Sequence, residues 1–299
     1  MEFNCNEETR DGFFVSSQRK RLWNVELEIF NNFQEICERH ELNYFLIGGT
    51  AIGAVRHKGF IPWDDDMDIG MLRDDFDRLI EHLKTELNSQ YYVQYGPCEK
   101  DLFSPLLRIR DGNTTGILNC DRKSQANQGI FIEIYPFDNV PDNILLRKIQ
   151  LYESKILSNI LHSRFYNIKL GTVSNFINCF LKRKTVEELF DIWTRICKKH
   201  NRKNTKYVDT IMLPIYALQG IHLFERSGCK TVFVPYENTK VRIPIENGKF
   251  LEQQYGDYMK LPPIEELGRH HDNTVFYDPD HPYTFWINNQ GLDAKFRKQ

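Results

Sequence analysis

Several features that place a protein in a common functional class are missing from this sequence. The formal net charge over 299 residues is only −2, so the chain offers no basic field of the kind that nucleic-acid binders use to neutralise phosphates. The seven cysteines are scattered and include no C-x-x-C pair, which argues against a zinc site or a disulfide framework. We therefore expect reduced thiols and no DNA or RNA partner.

Long apolar runs are missing as well. None approaches the roughly 20 residues that a membrane-spanning helix needs, and the first residues, MEFNCNEE, lack the layout of a signal peptide, so we expect a cytoplasmic protein. Peripheral contact with the inner face of the membrane stays an alternative. Apolar residues at helical spacing are followed by Lys182-Arg183-Lys184, and this pattern is typical of a helix that lies on an anionic membrane. A core-facing helix with a basic end would show the same pattern. The apolar positions are Leu170, Val173, Phe176, Ile177, Phe180 and Leu181.

The remaining composition is that of an ordinary globular protein. With 41% hydrophobic and 27% charged residues, the chain can bury a sizeable core. Between about residues 143 and 207 the pattern becomes helical and richer in Lys and Arg, and afterwards β-like segments return. We therefore expect a catalytic core at residues 1–142 and a helical accessory region at 143–207. If the reaction has an acceptor substrate, the accessory region is a candidate to bind it. A C-terminal segment at 208–299 would return to the core.

Apolar periodicity predicts the individual elements. Between Ser16 and His40, apolar residues recur at three- and four-residue steps, as on one face of a helix. Next we predict a strand at Tyr44–Ile47, a glycine turn, a helix opened by Thr50 and a second strand from Ile61 to Gly70. Later strands are predicted at Leu106–Ile109, Gly129–Tyr135, Thr231–Val234 and Val241–Ile245, with a short helix around Phe250–Tyr258.

Four aspartates crowd into the second predicted strand, at positions 64, 65, 66 and 68. Carboxylates this close repel one another unless a cation lies among them. Along a strand Asp66 and Asp68 share one face, whereas Met67 and Ile69 turn towards the core. Oxygen ligands without a nearby His or Cys favour Mg²⁺, with Mn²⁺ as an alternative. By the same alternation Asp65 turns away, whereas Asp64 is a candidate to contact the metal directly or through another ligand.

A third carboxylate, Glu133, lies alone among apolar residues in the predicted strand Ile130–Tyr135. We predict that it joins Asp66 and Asp68 as a metal ligand and catalytic group. A buried structural ion pair would explain the same position.

The glycine turn and two basic residues are candidates for substrate binding. Gly48, Gly49 and Thr50 lie where a strand passes into a helix, and bare amides at such a start bind phosphate oxygens. Lys58 and Arg108 are candidates to neutralise donor phosphates, although each would serve equally well as a surface charge.

These motifs together resemble the LicD family, which includes bacterial phosphocholine transferases and is similar in its core to the fukutin-related proteins. The resemblance is carried above all by GGTAIGAVRHKGFIPWDDDMDIGMLRDDF, within Tyr44–Phe76. It extends to Cys37–His40, Arg108–Thr115, Glu133–Pro136 and Tyr255–Pro263. The resemblance implies an α+β fold of the nucleotidyltransferase type, a mixed sheet flanked by helices.

The resemblance also implies an activity. Phosphocholine would pass from CDP-choline to a sugar hydroxyl of a cell-surface glycan, such as teichoic acid, capsule or lipopolysaccharide. Asp66, Asp68 and Glu133 would hold two Mg²⁺ ions, and Glu133 or Asp68 would accept the hydroxyl proton. Position 133 is Glu where many relatives carry Asp, and CDP-ribitol and CDP-glycerol stay open as donors. Trp63 and Tyr135 are the candidates to contact choline.

Two other functions remain as alternatives. A glycosyltransferase that uses an Asp-x-Asp motif, Mn²⁺ and a nucleotide sugar would account for Asp66 and Asp68, but it gives Gly48, Gly49 and Glu133 no role. A non-catalytic module that binds a divalent ion or a glycan would account for the acidic cluster alone.

Overall fold

The computed structural model describes residues 2–99, 102–118, 124–263 and 274–288. A π-helical turn, Gly53–His57, continues the second helix. The helices in these ranges are α1 (Ser17–Arg39), α2 (Gly48–Ile52), α3 (Arg73–Glu86), α4 (Ile144–Tyr166), α5 (Thr172–Phe180), α6 (Val186–Cys197), α7 (Pro214–Gln219), α8 (Asn247–Tyr255) and α9 (Tyr283–Asn288).

Within the described residues, a mixed sheet of seven strands forms the centre of the fold, and there are three further sheets of two strands each. The strands are β1 (Glu8–Arg10), β2 (Phe13–Val15), β3 (Phe45–Leu46), β4 (Asp68–Leu72), β5 (Tyr91–Glu99), β6 (Leu102–Asp111), β7 (Thr115–Leu118), β8 (Ile130–Val140), β9 (Tyr207–Asp209), β10 (Phe224–Glu225), β11 (Thr231–Tyr236), β12 (Thr239–Pro244) and β13 (Thr274–Asp278). The predicted α+β fold, a mixed sheet flanked by helices, is confirmed.

The long strand β8 connects the parts of the central sheet. On one edge it pairs in parallel with β4. On the other edge its first half pairs with β6 and its second half with β9, both antiparallel. Residues of β4, β6 and β8 therefore lie side by side in the middle of the sheet.

One face of this sheet packs against α1. The isoleucines of β8, Ile130, Ile132 and Ile134, are almost completely buried in the same cluster as Trp23 and Phe30 of α1. The residues between them, Phe131, Glu133 and Tyr135, are only half-buried, because successive side chains of a strand point to opposite faces. This alternation leaves Glu133 and Tyr135 on the face opposite α1.

The accessory helices α4 and α6 pack in a second hydrophobic cluster, which also includes Phe103 of β6 and Val140 of β8. Trp193 of α6 is fully buried against α4, and its Nε1 donates to the Ser154 hydroxyl at 2.7 Å. The same hydroxyl donates to the backbone carbonyl of Ile211, ahead of α7. Thr185 and Glu188 form a capping box that starts α6. The helical character predicted for this region is thus present. None of the helices in the described part of the chain combines the length and apolarity that crossing a membrane requires.

The prediction of a strand from Ile61 to Gly70 is wrong over residues 61–67, because β4 begins only at Asp68. The preceding segment turns instead, with the Asp64 N–H donating to the Ile61 carbonyl at 2.9 Å. Two side chains of α1 then hold the Asp64 carbonyl, which accepts from Trp23 Nε1 at 3.0 Å and from Arg19 Nη1 at 2.9 Å. These are long-range contacts, which local periodicity does not encode.

Other boundaries also differ from the sequence pattern. The strand at 44–47 is reduced to Phe45–Leu46, and the helix predicted around 250–258 starts earlier, at Asn247. Strand β5 was not predicted. It contains Gly96 with φ +67° beside a shift in its pairing register with β6, and a glycine within a strand weakens the pattern by which it would be recognised.

A buried ion pair joins α3 to the sheet. Arg73, the first residue of α3, donates from Nε and Nη2 to the two carboxylate oxygens of Asp138 in β8, at 2.8 and 2.7 Å. Both side chains are almost completely buried, and Asn201 Nδ2 also donates to Asp138 at 2.7 Å. A bidentate pair of this kind fixes the start of α3 relative to β8.

Replacing Arg73 by Met should therefore lower the free energy of unfolding by about 3–5 kcal/mol, because the Asp138 carboxylate would stay buried without its cation. Urea denaturation followed by circular dichroism measures this change. The double variant Arg73→Met with Asp138→Leu should regain most of the loss. If it is no more stable than Arg73→Met alone, the ion pair is not what couples the helix to the sheet.

Candidate active site

A cavity of about 460 Å³ opens beside the central sheet. Its walls come from α2, from the segment that contains Asp64 and Asp66, from the strands β4, β6 and β8, and from the region of α7 and α8. The lining residues are Gly48, Gly49, Asp64, Asp66, Asp68, Pro105, Leu106, Arg108, Glu133, Tyr135, Leu213, Tyr216, Ile221, His222 and Tyr255. Most of the site residues predicted from the sequence are therefore gathered in one place.

Three charged side chains form a row across the sheet at this cavity. Asp68 of β4 is the register partner of Glu133 in β8, and Glu133 is the register partner of Arg108 in β6. Residues that are directly opposite on neighbouring strands have adjacent side chains. The strand pairing thus places two carboxylates and a guanidinium next to one another, although they are far apart in the sequence.

Glu133 is engaged at both of its oxygens. Arg108 Nε donates to Oε1 at 2.6 Å, and the Tyr135 hydroxyl donates to Oε2 at 3.1 Å. The ion pair that was left open as an alternative for Glu133 is therefore present. Because both partners of the pair line the cavity, it belongs to the site and is not a remote structural contact.

The aspartates bring several carboxylates into a poorly solvated place. Asp64 is 1% exposed, and ligand oxygens of Asp64, Asp65 and Asp66 lie within 4.8 Å of one another. Burial, reinforced by the carboxylates of Asp64 and Asp68, raises the pKa of Asp66 well above its ordinary value. Asp65 lies 3.9 Å from Arg19 and is not among the residues lining the cavity. The carboxylate-rich wall therefore consists of Asp64, Asp66 and Asp68.

The two glycines leave room for these carboxylates. A Cβ atom at Gly49 would lie 2.7 Å from Asp64 Oδ2, and one at Gly48 would lie 3.3 Å from Asp68 Oδ2. Gly48 also has φ +59°, a left-handed conformation that favours glycine. Side chains at either position would push against the acidic wall, so close approach to the aspartates is one reason for the glycine pair.

Thr50 supports the site without lining it. Its hydroxyl accepts a hydrogen bond of 2.9 Å from the backbone N–H of Asp68. The Ile47 N–H donates to the Asp68 carbonyl at 3.2 Å, so the backbone of Asp68 is held on both sides. The direct phosphate contact predicted for Thr50 stays a prediction.

Two candidates from the sequence lie elsewhere. Lys58 is exposed, with φ +56° at the end of the π-helical turn, and its side chain is not part of the cavity lining in the described structure. Trp63 is buried between Phe13 and His57, with Arg56 over its ring at 6.0 Å. Trp63 is therefore not in a position to contact a ligand in this cavity.

An aromatic wall, which we define as Tyr135, Tyr216, His222 and Tyr255, was largely missed by sequence reasoning. Tyr216 stacks on the His222 ring with centroids 6.1 Å apart, and Tyr135 meets the same ring edge-on at 6.0 Å. His222 Nδ1 and the Thr210 hydroxyl are hydrogen-bonded at 2.7 Å, and burial lowers the pKa of His222 to about 4. Of these residues the sequence flagged Tyr135 as an aromatic contact and placed Tyr255 in a family motif.

The core that carries the acidic cluster also matches known proteins. The LicD/FKTN/FKRP nucleotidyltransferase domain model matches residues 41–156. The lipopolysaccharide cholinephosphotransferase LicD of Haemophilus influenzae is 28% identical over 257 residues, 82% of this chain and 92% of that protein. Residues 41–156 are a nucleotidyltransferase domain of the LicD family. A shorter match, to an uncharacterized protein of Rickettsia prowazekii, is 35% identical over 115 residues, 36% of this chain and 43% of that protein.

The LicD domain match divides the cavity into two parts. The glycine pair, the aspartates and the Arg108–Glu133 pair fall within residues 41–156, whereas Tyr216, His222 and Tyr255 lie beyond them. The charged floor of the cavity, defined as Asp64, Asp66, Asp68, Arg108 and Glu133, thus belongs to the LicD nucleotidyltransferase domain. Most of the aromatic wall is supplied by the chain that follows this domain. Together they form a site in which carboxylates, one guanidinium and aromatic faces meet.

Proposed function

We propose that this protein transfers phosphocholine from CDP-choline to a sugar hydroxyl of a cell-surface glycan in a Mg²⁺-dependent reaction. The name of the Haemophilus relative, a lipopolysaccharide cholinephosphotransferase, supports phosphocholine as the transferred group and a glycan as the acceptor. The single observation that carries the proposal is that Asp64, Asp66 and Asp68 line one cavity together with the Arg108–Glu133 pair. Such a combination suits a phosphate group better than a neutral ligand.

The donor atoms of the cluster fit a hard divalent cation. Asp64, Asp66 and Asp68 offer only oxygen atoms as ligands. Burial and the neighbouring carboxylates all raise the pKa of Asp66 and so disfavour its charged form. These three residues, with Glu133 as a further ligand, would hold Mg²⁺, and Mn²⁺ fits the same donor set. When bound, the ion neutralises charge on phosphate oxygens and lowers the pKa of a coordinated hydroxyl.

The residues of the chain then have definite tasks in the transfer. A bond forms between the acceptor hydroxyl oxygen and the phosphorus that carries choline, and the bond from that phosphorus to the bridging oxygen breaks and releases CMP. Asp68 or Glu133, side by side in the sheet, accepts the hydroxyl proton. Arg108, now paired with Glu133 at 2.6 Å, balances the negative charge of the transferred phosphate.

The aromatic wall accounts for the choline end of the donor. Quaternary ammonium groups are held over aromatic faces, and Tyr135, Tyr216 and Tyr255 reach the cavity from three different elements. Because burial lowers the pKa of His222 to about 4, its ring is uncharged at neutral pH. A neutral imidazole beside the tyrosines does not repel a cation.

The direct test of this function is a donor panel with Mg²⁺ and an extracted cell-surface glycan as acceptor. CDP-choline should release CMP, and removing the divalent ion with a chelator should abolish the release, because the buried carboxylates would lose their counter-charge. CDP-ribitol and CDP-glycerol serve as competing donors. If no CDP-linked alcohol is consumed in the presence of Mg²⁺, the proposal is wrong.

A second test separates this reaction from glycosyl transfer. Glu133→Gln should lower kcat by at least about 100-fold with CDP-choline, because the change removes a ligand and the charge partner of Arg108. Glu81→Gln, at an exposed carboxylate of α3, is the matched control and should leave kcat unchanged. In an enzyme that uses only an Asp-x-Asp motif for a nucleotide sugar, Glu133→Gln would have little effect on metal-dependent turnover, and that outcome would favour the glycosyltransferase.

The aromatic wall gives a prediction about donor selectivity. Tyr216→Leu should raise the KM for CDP-choline by about tenfold, which is the size expected when one cation–π contact is lost. Inhibition by CDP-glycerol, which has no cationic head, should hardly change. Tyr152→Leu, at an exposed tyrosine of α4, is the control. Equal weakening of both ligands would show that Tyr216 shapes the cavity without recognising the quaternary ammonium.

A further inference from the structure

The apolar stripe of α5 is divided between the protein interior and the surface. Leu170, Ile177 and Leu181 pack against the accessory core. The other three members of the stripe stay on the outside: Val173 is 62% exposed, Phe176 66% and Phe180 75%. Phe176 and Phe180 touch each other edge-on, with ring centroids 5.2 Å apart. A core-facing helix therefore explains only half of the pattern seen in the sequence.

The segment of the chain that carries these side chains is positively charged. Between Glu153 and Glu187 the sequence contains six basic residues and no acidic one. Lys169 precedes α5, and Lys182 and Arg183 follow it, all three exposed. Lys184 forms an ion pair with Glu188 at 2.7 Å and contributes less net charge. Exposed aromatic side chains thus lie within an acid-free basic segment, in a protein whose net charge is only −2.

The segment is held in place by the end of α4. Arg164 Nη2 donates to the Asn178 side chain at 2.9 Å and to the Leu181 carbonyl at 2.8 Å, and Arg164 Nη1 donates to the Lys184 carbonyl. Arg164 therefore fixes the last turn of α5 and the start of the basic segment relative to α4. The exposed phenylalanines are presented on an anchored helix.

From this arrangement we infer that the α5 face, defined as Val173, Phe176 and Phe180 with the flanking Lys169, Lys182 and Arg183, binds a membrane surface that contains anionic lipid. The apolar side chains enter the boundary between headgroups and acyl chains, and the basic side chains contact the lipid phosphates. We choose an anionic lipid surface as the partner because of charge complementarity: the segment around α5 is basic and contains no acidic residue. The attachment is peripheral and is independent of the reaction proposed above.

The α5 face is connected to the cavity through packed elements. The Tyr166 hydroxyl, at the end of α4, is hydrogen-bonded to the backbone N–H and carbonyl of Phe103 in β6 at 3.3 and 3.2 Å. Phe103 lies two residues before Pro105, which lines the cavity. The α5 face is thereby linked, through α4, to the strand β6 that borders the cavity.

The test is co-sedimentation of the full chain with vesicles. The protein should pellet with mixed phosphatidylcholine and phosphatidylglycerol vesicles, and added salt should weaken the binding. The double variant Phe176→Ser with Phe180→Ser should bind at least about 30-fold more weakly, because two apolar anchors are lost. Phe14→Ser, at a phenylalanine that is 60% exposed on β2, is the matched control and should bind like the wild type.

The charge contribution is tested separately, in the triple variant Lys169→Gln, Lys182→Gln and Arg183→Gln. Each lost charge should weaken binding to the anionic vesicles by about fivefold, whereas the exposed lysines Lys230, Lys240 and Lys260, replaced by Gln, should matter little. Failure of the wild type to pellet, or equal binding by the phenylalanine variant and its control, would overturn the inference. So would a dimer, detected by light scattering without vesicles, that dissociates in the phenylalanine variant, since α5 would then contact a second copy.

Discussion

The structure depends on one electrostatic constraint, the gathering of several carboxylates in a place with little water. Asp66 is half-buried beside Asp64 and Asp68, and both desolvation and like charge raise its pKa and oppose its ionisation. Such an arrangement is unfavourable by itself and persists only if the surrounding fold imposes it and a counter-charge is supplied. The guanidinium of Arg108, which pairs with Glu133 at 2.6 Å, brings a positive charge to the same cavity.

The fold imposes this arrangement through contacts from several elements. Trp23 and Arg19 of α1 hold the carbonyl of Asp64, and the Thr50 hydroxyl accepts from the N–H of Asp68. The parallel register of β4 and β8 then places Asp68 beside Glu133. These contacts are made by buried backbone and side-chain groups, which are rigid because close-packed interiors deform little. The stability of the core is thus used to hold a locally unfavourable site.

The region after the LicD nucleotidyltransferase match adds an aromatic surface to the charged site. Residues 41–156 contribute the charged floor, and α7 and α8 contribute Tyr216 and Tyr255. Helix α4 packs on α6 and α7 in one hydrophobic cluster, which connects the accessory helices to the element that carries Tyr216. A ligand with an anionic centre and a cationic head would contact both parts of the cavity, whereas either part alone would match only one end.

Four properties could be predicted without the structure, because each is encoded in short-range periodicity or in a compact motif: the fold class, the long helix α1, the resemblance to the LicD family and the order of the motifs. The sequence by itself did not determine where β4 begins, since the turn at Asp64 is fixed by side chains of α1 some 40 residues away. Nor did it reveal that Arg108 pairs with Glu133, that His222 joins the cavity, or that Phe176 and Phe180 stay outside. Strand register and helix packing decide those relations, and both arise only when distant segments compete for the same contacts.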